Sequence, residues 1–419
     1  MERSKNGVVR WKKVVTQVED HLIVPVFPSG LSRESYDEYL REYQSKISRE
    51  KFSEDKPLWE VHLIKYPSLN GASTLICKVS HAIGDGYSLV SMFLKGCQRA
   101  DDPSLPLTFP QLSLKRQGDD GKCTVIGMGK KMLGFMGTST CLEDQPSAIR
   151  KEASTDMKTK LFRPFNIYSV TLSLEKVKQV KTKLGATVND VITGLLSYTI
   201  HLYALRKTGM DQYSKDGSTT DSNSGGANTN MTLAAMRAFE GFANIEDMIR
   251  ADAWGNRSRS MFIKLPTFTN LEKVNPLDFI VKAKETMDRK KNSMMFYFID
   301  KLLNTALWIW GQKGMEKLVY SSFKNARTMI SSVIGPKEKM ALYNHPINSF
   351  YFFTSGIPQS VAFFSVSYME QLRLVVTMEK GFIDSKKFSS CVDAAFDDIF
   401  QAAFENSQDK DYTVTKART

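Results

Sequence analysis

No stretch of this 419-residue chain approaches the ~20 consecutive apolar residues that a membrane-spanning helix needs. The nearest candidate, LLNTALWIW at 302–310, is about half that length. It reads as a core helix or, with its tryptophans and flanking lysines, as a helix lying in a bilayer surface. The start, MERSKNGVVRWKK, lacks the apolar centre of a secretory signal. Cysteine is scarce: Cys77, Cys97, Cys123, Cys141 and Cys391. The number is odd and no CxxC pair occurs, which argues against a disulfide framework and against a zinc site. A reducing compartment is expected. No glycine-rich phosphate loop is present. Histidine is also scarce, and His21, His62, His201 and His345 sit in no Ser, Cys or carboxylate pattern that would mark a triad or metal site. Neither a metal nor a bound cofactor is expected.

What the chain does have is an ordinary globular balance, 42% hydrophobic and 24% charged, with a formal net charge of +12. A positive surface suits anionic partners such as coenzyme A phosphates or lipid head groups. Its lysines and arginines are scattered and not interleaved with aromatics, so no nucleic-acid partner is expected.

Residues 8–15 and 21–27 read as short strands. A polar helix should begin near Ser32, which would cap it. PLWEVHLIKY at 57–66 alternates as a half-buried strand. It should pair with STLICKVS at 73–80 across a turn marked by Asn70-Gly71. Residues 111–160 form a polar, weakly periodic crossover linker with one short amphipathic turn at 130–136. A second half starts near 161, with strand, helix, and a long apolar helix whose first turn Thr187 could cap. The loop KDGSTTDSNSGGANTN cannot pack a core. Three further strand-like segments follow, and a helix with Asn275 as cap and Pro276 at its first position. A C-terminal hairpin and helix close the chain. The organisation is a mixed α/β chain of two halves, 1–110 and 161–419, joined by 111–160.

KVSHAIGDGYSLVS at 78–91 carries the candidate chemistry. His81 directly follows a strand and precedes a loop and a helix. A side chain there is held by the sheet yet reachable, and imidazole has a working pKa for a general base without heavy tuning. Gly84 and Gly86 should permit tight turning and close approach. Asp85 either orients the loop, pairs with a cation, or caps the next helix. As a bare pattern HxxxDG is weak, and a partly buried histidine with a satisfied hydrogen bond fits it too. Asn189 and Asp190 open the long helix, so a capping role and a substrate role both fit. Pro57-Leu58-Trp59 reads as the opening of a packed strand. VIGP at 333–336 reads as a turn after a strand.

PLWEVHLI, SHAIGDGYSLVSMF, TVNDVITG and SSVIGPKEKMALYNHPI occur here in order. In this the chain resembles the wax ester synthase/diacylglycerol acyltransferase family, above all its plant-type members, over nearly its whole length. The resemblance implies a chloramphenicol acetyltransferase-like fold, two similar α/β halves with a tunnel between them. It implies O-acyl transfer from acyl-coenzyme A to a long-chain alcohol (wax ester biosynthesis) or to diacylglycerol (triacylglycerol biosynthesis). Its motif HHxxxDG places the catalytic base at His81, supported by Asp85 and Gly86. Ser80 stands where the first His usually is, and Ser332 where an Asn precedes VIGP. Family chains normally start with a further strand and helix, so the first half is expected to lack them here. The implied setting is a peripheral membrane surface, the cytosolic face of the endoplasmic reticulum or the plasma membrane. The alternative is a non-catalytic lipid- or partner-binding relative with the same fold.

Overall fold

A computed structural model describes residues 2–3, 9–10, 13–53, 55–108, 147–149, 161–208, 231–237, 245–251, 253–256, 258–265, 274–291 and 326–404, with further helical positions between 307 and 323. The expected amphipathic turn at 130–136, the polar loop after the long helix, Cys123 and Cys141 lie outside these residues.

β1 (Glu2–Arg3) and β2 (Val9–Arg10) form a two-stranded ribbon, which holds residues 9–10 of the strand expected over 8–15. Residues 13–17 are irregular. β3 (Leu22–Ile23) is shorter than the strand expected over 21–27. The reason lies in Tyr66. Its hydroxyl accepts from the Phe27 N–H at 3.0 Å and donates to the Phe27 carbonyl at 2.9 Å, replacing a neighbouring strand at that residue. β3 runs parallel to β4 (Trp59–Ile64), which pairs antiparallel with β5 (Thr74–Val79), from Trp59 opposite Val79 to Ile64 opposite Thr74. Asn70-Gly71 lies inside the nine-residue connection 65–73 and not in a two-residue turn. There the Ser68 hydroxyl accepts the Asn70 N–H.

Helix α1 (Arg33–Ile47) begins where expected, because the Ser32 hydroxyl accepts the Ser35 N–H at 3.2 Å. α1 buries Tyr36 and Leu40 with Phe27 and Ile64. α2 (Gly86–Lys95) follows β5.

The second half is built on a six-stranded sheet in the order β7 (Phe165–Ser173), β14 (Gln371–Glu379), β13 (Val361–Tyr368), β10 (Thr328–Ile334), β8 (Met231–Arg237), β9 (Ser258–Lys264). β10 is parallel to both neighbours, and the other pairs are antiparallel. Helices α3 (Leu174–Lys183), α4 (Val188–Thr208), α6 (Pro276–Lys291) and α7 (Ser385–Phe404) supply the large buried core of this half. A short α5 (Ile245–Arg250) sits between β8 and β9 in sequence. Asn275 caps α6 as expected, its side-chain oxygen accepting the Leu277 N–H at 3.0 Å.

The halves interlock. β6 (Gln98–Arg99) pairs with β11 (Met340–Leu342), which also pairs with β12 (His345–Pro346). α2 buries Val90 and Leu94 against Met340 and Tyr368. At the other end of the six-stranded sheet, the Phe165 N–H donates to the Ser45 hydroxyl, and the Gln44 side-chain amide donates to the Tyr351 hydroxyl at 2.8 Å. Among the described residues no helix is long and apolar enough to cross a membrane.

Candidate active site

β5 carries the chain to His81. The Ser80 N–H still bonds the Leu58 carbonyl at 2.9 Å, so the sheet holds the backbone up to the residue before the histidine. A turn follows, closed by the Ile83 N–H to the Ser80 carbonyl at 3.0 Å. The Ser80 hydroxyl accepts the Ala82 N–H at 3.3 Å. Ser80 therefore has a local structural use where the resembling family usually has a first histidine.

The loop after His81 is clamped by a short segment far away in sequence. The Trp254 indole N–H donates to the Ile83 carbonyl at 3.1 Å, and the Asn256 side-chain amide donates to the His81 carbonyl. Gly255 accepts from the Asp85 N–H at 3.2 Å and from the Ser88 hydroxyl at 3.1 Å, and its own N–H donates back to that hydroxyl. Gly255 has φ +108, a conformation that side chains disfavour. Sequence pattern alone does not single out residues 254–256. Trp-Gly-Asn between a short helix and a strand has no periodicity, and its partners lie about 170 positions away.

The clamp fixes backbone and leaves the imidazole open. His81 is exposed, and among the described residues nothing hydrogen-bonds its ring. Asp85, by contrast, is fully buried. One carboxylate oxygen accepts the Ser88 N–H at 2.9 Å, so Asp85 is the N-cap of α2. Of the three roles open to Asp85, capping is thus filled. The two glycines separate. A methyl on Gly84 would lie 3.0 Å from the Ser88 Cβ, a tight contact that Ser88 could take only by shifting a few tenths of an ångström. A methyl on Gly86 would meet Val333 at 3.6 Å, an ordinary contact, so packing does not require it.

Beside the loop, β4 and β5 carry a half-buried polar chain that Tyr43 of α1 extends. The Tyr43 hydroxyl lies 2.8 Å from His62 Nδ1, His62 Nε2 lies 3.3 Å from Glu60, and Lys78 donates to the same Glu60 oxygen at 3.0 Å. Burial lowers the His62 pKa, while the nearby Glu60 opposes that shift. A neutral His62 with its proton on Nε2 satisfies both neighbours. His21 stacks on Trp59 at 4.2 Å and bonds its carbonyl, which fits the expected packing role of the PLW segment.

Asn189 and Asp190 open α4, where Asp190 and Thr187 form a reciprocal cap. The Thr187 N–H donates to Asp190 at 2.7 Å, and the Asp190 N–H donates back to the Thr187 hydroxyl. In VIGP, a methyl on Gly335 would fall 2.3 Å from the Ser367 carbonyl oxygen, so this glycine lets two strands close up. Ser332 bonds Ser365 at 2.8 Å across β10 and β13.

A shallow open concavity lies elsewhere, where Arg49 meets Arg163, Ser360 and Glu379. It sits at the end of the six-stranded sheet opposite Val333, so it is not a pocket around His81. Among the described residues no group of three or more His, Cys, Asp or Glu is placed to hold a metal ion. Cys77, Cys97 and Cys391 are free thiols.

Comparison with known proteins agrees with this layout. The wax ester synthase/diacylglycerol acyltransferase catalytic domain matches residues 17–192, and the WS/DGAT C-terminal domain matches 254–400, beginning at the clamp tryptophan. Wax ester synthase/diacylglycerol acyltransferase 3 of Arabidopsis thaliana is 27% identical over 91% of this chain and 79% of its own length. Number 11 of the same plant is 27% identical over 90% and 79%. Among solved structures, a wax ester synthase/diacylglycerol acyltransferase from Marinobacter aquaeolei VT8 superposes with a TM-score of 0.57. It is 14% identical, covering 94% of this chain and 83% of that one. A cyclization-docking bidomain of the EpoB peptide synthetase from Sorangium cellulosum gives 0.52 at 12% identity, over 92% and 69%. The fold is therefore the mixed α/β, two-domain fold shared by these acyltransferases and by condensation-type domains.

Proposed function

We propose how this chain, an acyltransferase that belongs to the wax ester synthase/diacylglycerol acyltransferase family, performs its transfer: a fatty acyl group passes from acyl-coenzyme A to a long-chain alcohol or diacylglycerol, with His81 as general base. The imidazole takes the hydroxyl proton as the alcohol oxygen attacks the thioester carbonyl. The tetrahedral oxyanion needs N–H donors. The Asp85 N–H is committed to Gly255, which leaves those of Gly84 and Gly86 as the donors in this loop. Collapse expels the coenzyme A thiolate, which takes the proton back from the imidazolium. The products are an ester and free coenzyme A, with no covalent enzyme intermediate and no metal or cofactor.

One observation carries the assignment. The loop is tied down through main chain from the second half, while the His81 ring stays exposed and unbonded. An exposed ring on a fixed backbone can reach a substrate hydroxyl, which is what a general base requires. Because both acceptor classes dissolve in lipid, we place the protein peripherally on a membrane, at the cytosolic face of the endoplasmic reticulum or at the plasma membrane.

The test is expression in a host lacking storage lipids, followed by thin-layer separation. Wild type should yield wax ester or triacylglycerol. Purified His81→Ala should lose ~10²–10⁴-fold in turnover with an unchanged melting temperature. Wild-type turnover in that variant would refute the base. Absence of ester from the wild type would favour a non-catalytic binding relative.

A further inference from the structure

Helical residues 307–311 present four successive large apolar side chains to solvent. Leu307 is 46% exposed, Trp308 85%, Ile309 57% and Trp310 50%. On a helix four successive residues spread over most of the circumference. A surface helix normally turns one such stripe inward, so exposure of all four marks a turn that stands clear of the body. Exposed apolar clusters of this kind mark interaction sites.

We infer that this turn is a membrane-docking knob that inserts Trp308 and Trp310 into the head-group region of a bilayer containing anionic lipid. Three observations select that partner. Two are tryptophans, whose amphipathic rings favour the boundary between head groups and acyl chains. The sequence from 289 to 327 carries eight Lys or Arg against two acids, Asp300 and Glu316, a balance complementary to anionic head groups. The third is area. Four side chains of roughly 200 Å² each, 46–85% exposed, offer roughly 500 Å². A standard protein interface needs roughly 800 Å² per partner. A bilayer accepts a small convex knob, because it deforms around it. The inference deepens the membrane association proposed above and rests on it.

The test uses the purified full chain and two vesicle types, phosphatidylcholine alone and phosphatidylcholine with phosphatidylserine. Wild type should sediment with the second, lose binding as salt rises, and shift its tryptophan emission to the blue. Trp308→Glu combined with Trp310→Glu should weaken binding by ~10²–10⁴-fold, the equivalent of removing two buried aromatic side chains. Both positions are exposed, and acyl transfer to a short water-soluble alcohol should be unchanged, which checks that the variant is folded. Unchanged vesicle binding in the double variant overturns the knob but leaves membrane association standing. Failure of the wild type to bind either vesicle, with ester formation intact, overturns both. Loss of a dimer in the variant, without loss of vesicle binding, assigns the turn to a second copy and overturns the proposal.

Discussion

Among the described residues, the six-stranded sheet is backed by a core of 28 buried residues, whereas the three-stranded sheet that leads to His81 shares a cluster of four, Phe27, Tyr36, Leu40 and Ile64. The first half makes up the difference with contacts from the second. Gly255 and Asn256 hold the His81 loop, Met340 and Tyr368 bury α2, and Tyr351 and Phe165 meet the end of α1. The difference separates two jobs. The larger half supplies rigidity, and the smaller supplies a reactive side chain whose position depends on that rigidity.

The largest expected effect therefore lies far from the chemistry. Phe388 is fully buried, its ring tilted against those of Phe363 and Tyr203. Phe388→Ala should cost ~3–5 kcal/mol, and Leu40→Ala, at the rim of the smaller cluster, about 2 kcal/mol. Urea denaturation of both variants measures the contrast. Equal losses would show that the smaller cluster is as self-supporting as the larger.

Ser88→Ala breaks the seam between the halves. It leaves the Gly255 N–H without the Ser88 hydroxyl, in a buried setting where an unmade bond costs ~1–3 kcal/mol. Because the clamp also sets the His81 loop, turnover should fall by more than the stability loss explains. Activity that merely tracks the melting temperature would show that the clamp is structural alone.

Asp85→Ala should cost about 1 kcal/mol through loss of the cap. Asp85→Asn keeps an acceptor for the Ser88 N–H and should keep most of the activity. If Asn proves as damaging as Ala at an unchanged melting temperature, the negative charge acts directly in transfer.

The smallest effect is a pH dependence in the lesser half. Burial holds the His62 pKa below its unfolded value of about 6.5. The folded state then favours neutral imidazole, and the unfolded state binds the extra proton. The stability this provides is present above about pH 6.5 and is lost as pH falls through the lower folded value. Melting curves from pH 7.5 down to 5.5 should show a steeper fall for wild type than for His62→Gln. Some slope should remain, since burial also lowers His201 in the second half. Parallel curves for the two proteins would remove His62 from the account.

Much of this architecture was legible in the amino-acid order. Ser32, Asn275 and Thr187 with Asp190 cap their helices where local rules place them. Their partners stand within three residues, and capping depends on nothing further away. The alternation through 57–66 gave β4, and the strand-loop-helix pattern put His81 at a strand end. The hairpin of β13 and β14 was also visible, though its turn is unusual, with Met369 and Glu370 both at positive φ. Where reading failed, a distant group had taken the bond. The Tyr66 hydroxyl shortened the strand expected through Phe27.

Sequence by itself determined the local elements, the caps and the candidate base, because each is written in spacings of two to four residues. Tertiary structure alone decided what those residues are for. It brought Trp254, Gly255 and Asn256 onto the loop and left the His81 ring open. It also pressed Gly335 against the Ser367 carbonyl and set the 307–311 turn out in solvent. The physical reason is separation along the chain. Hydrogen bonds and close contacts between residues 30 to 170 positions apart leave no periodic trace, and they form only when the two sheets have folded and met.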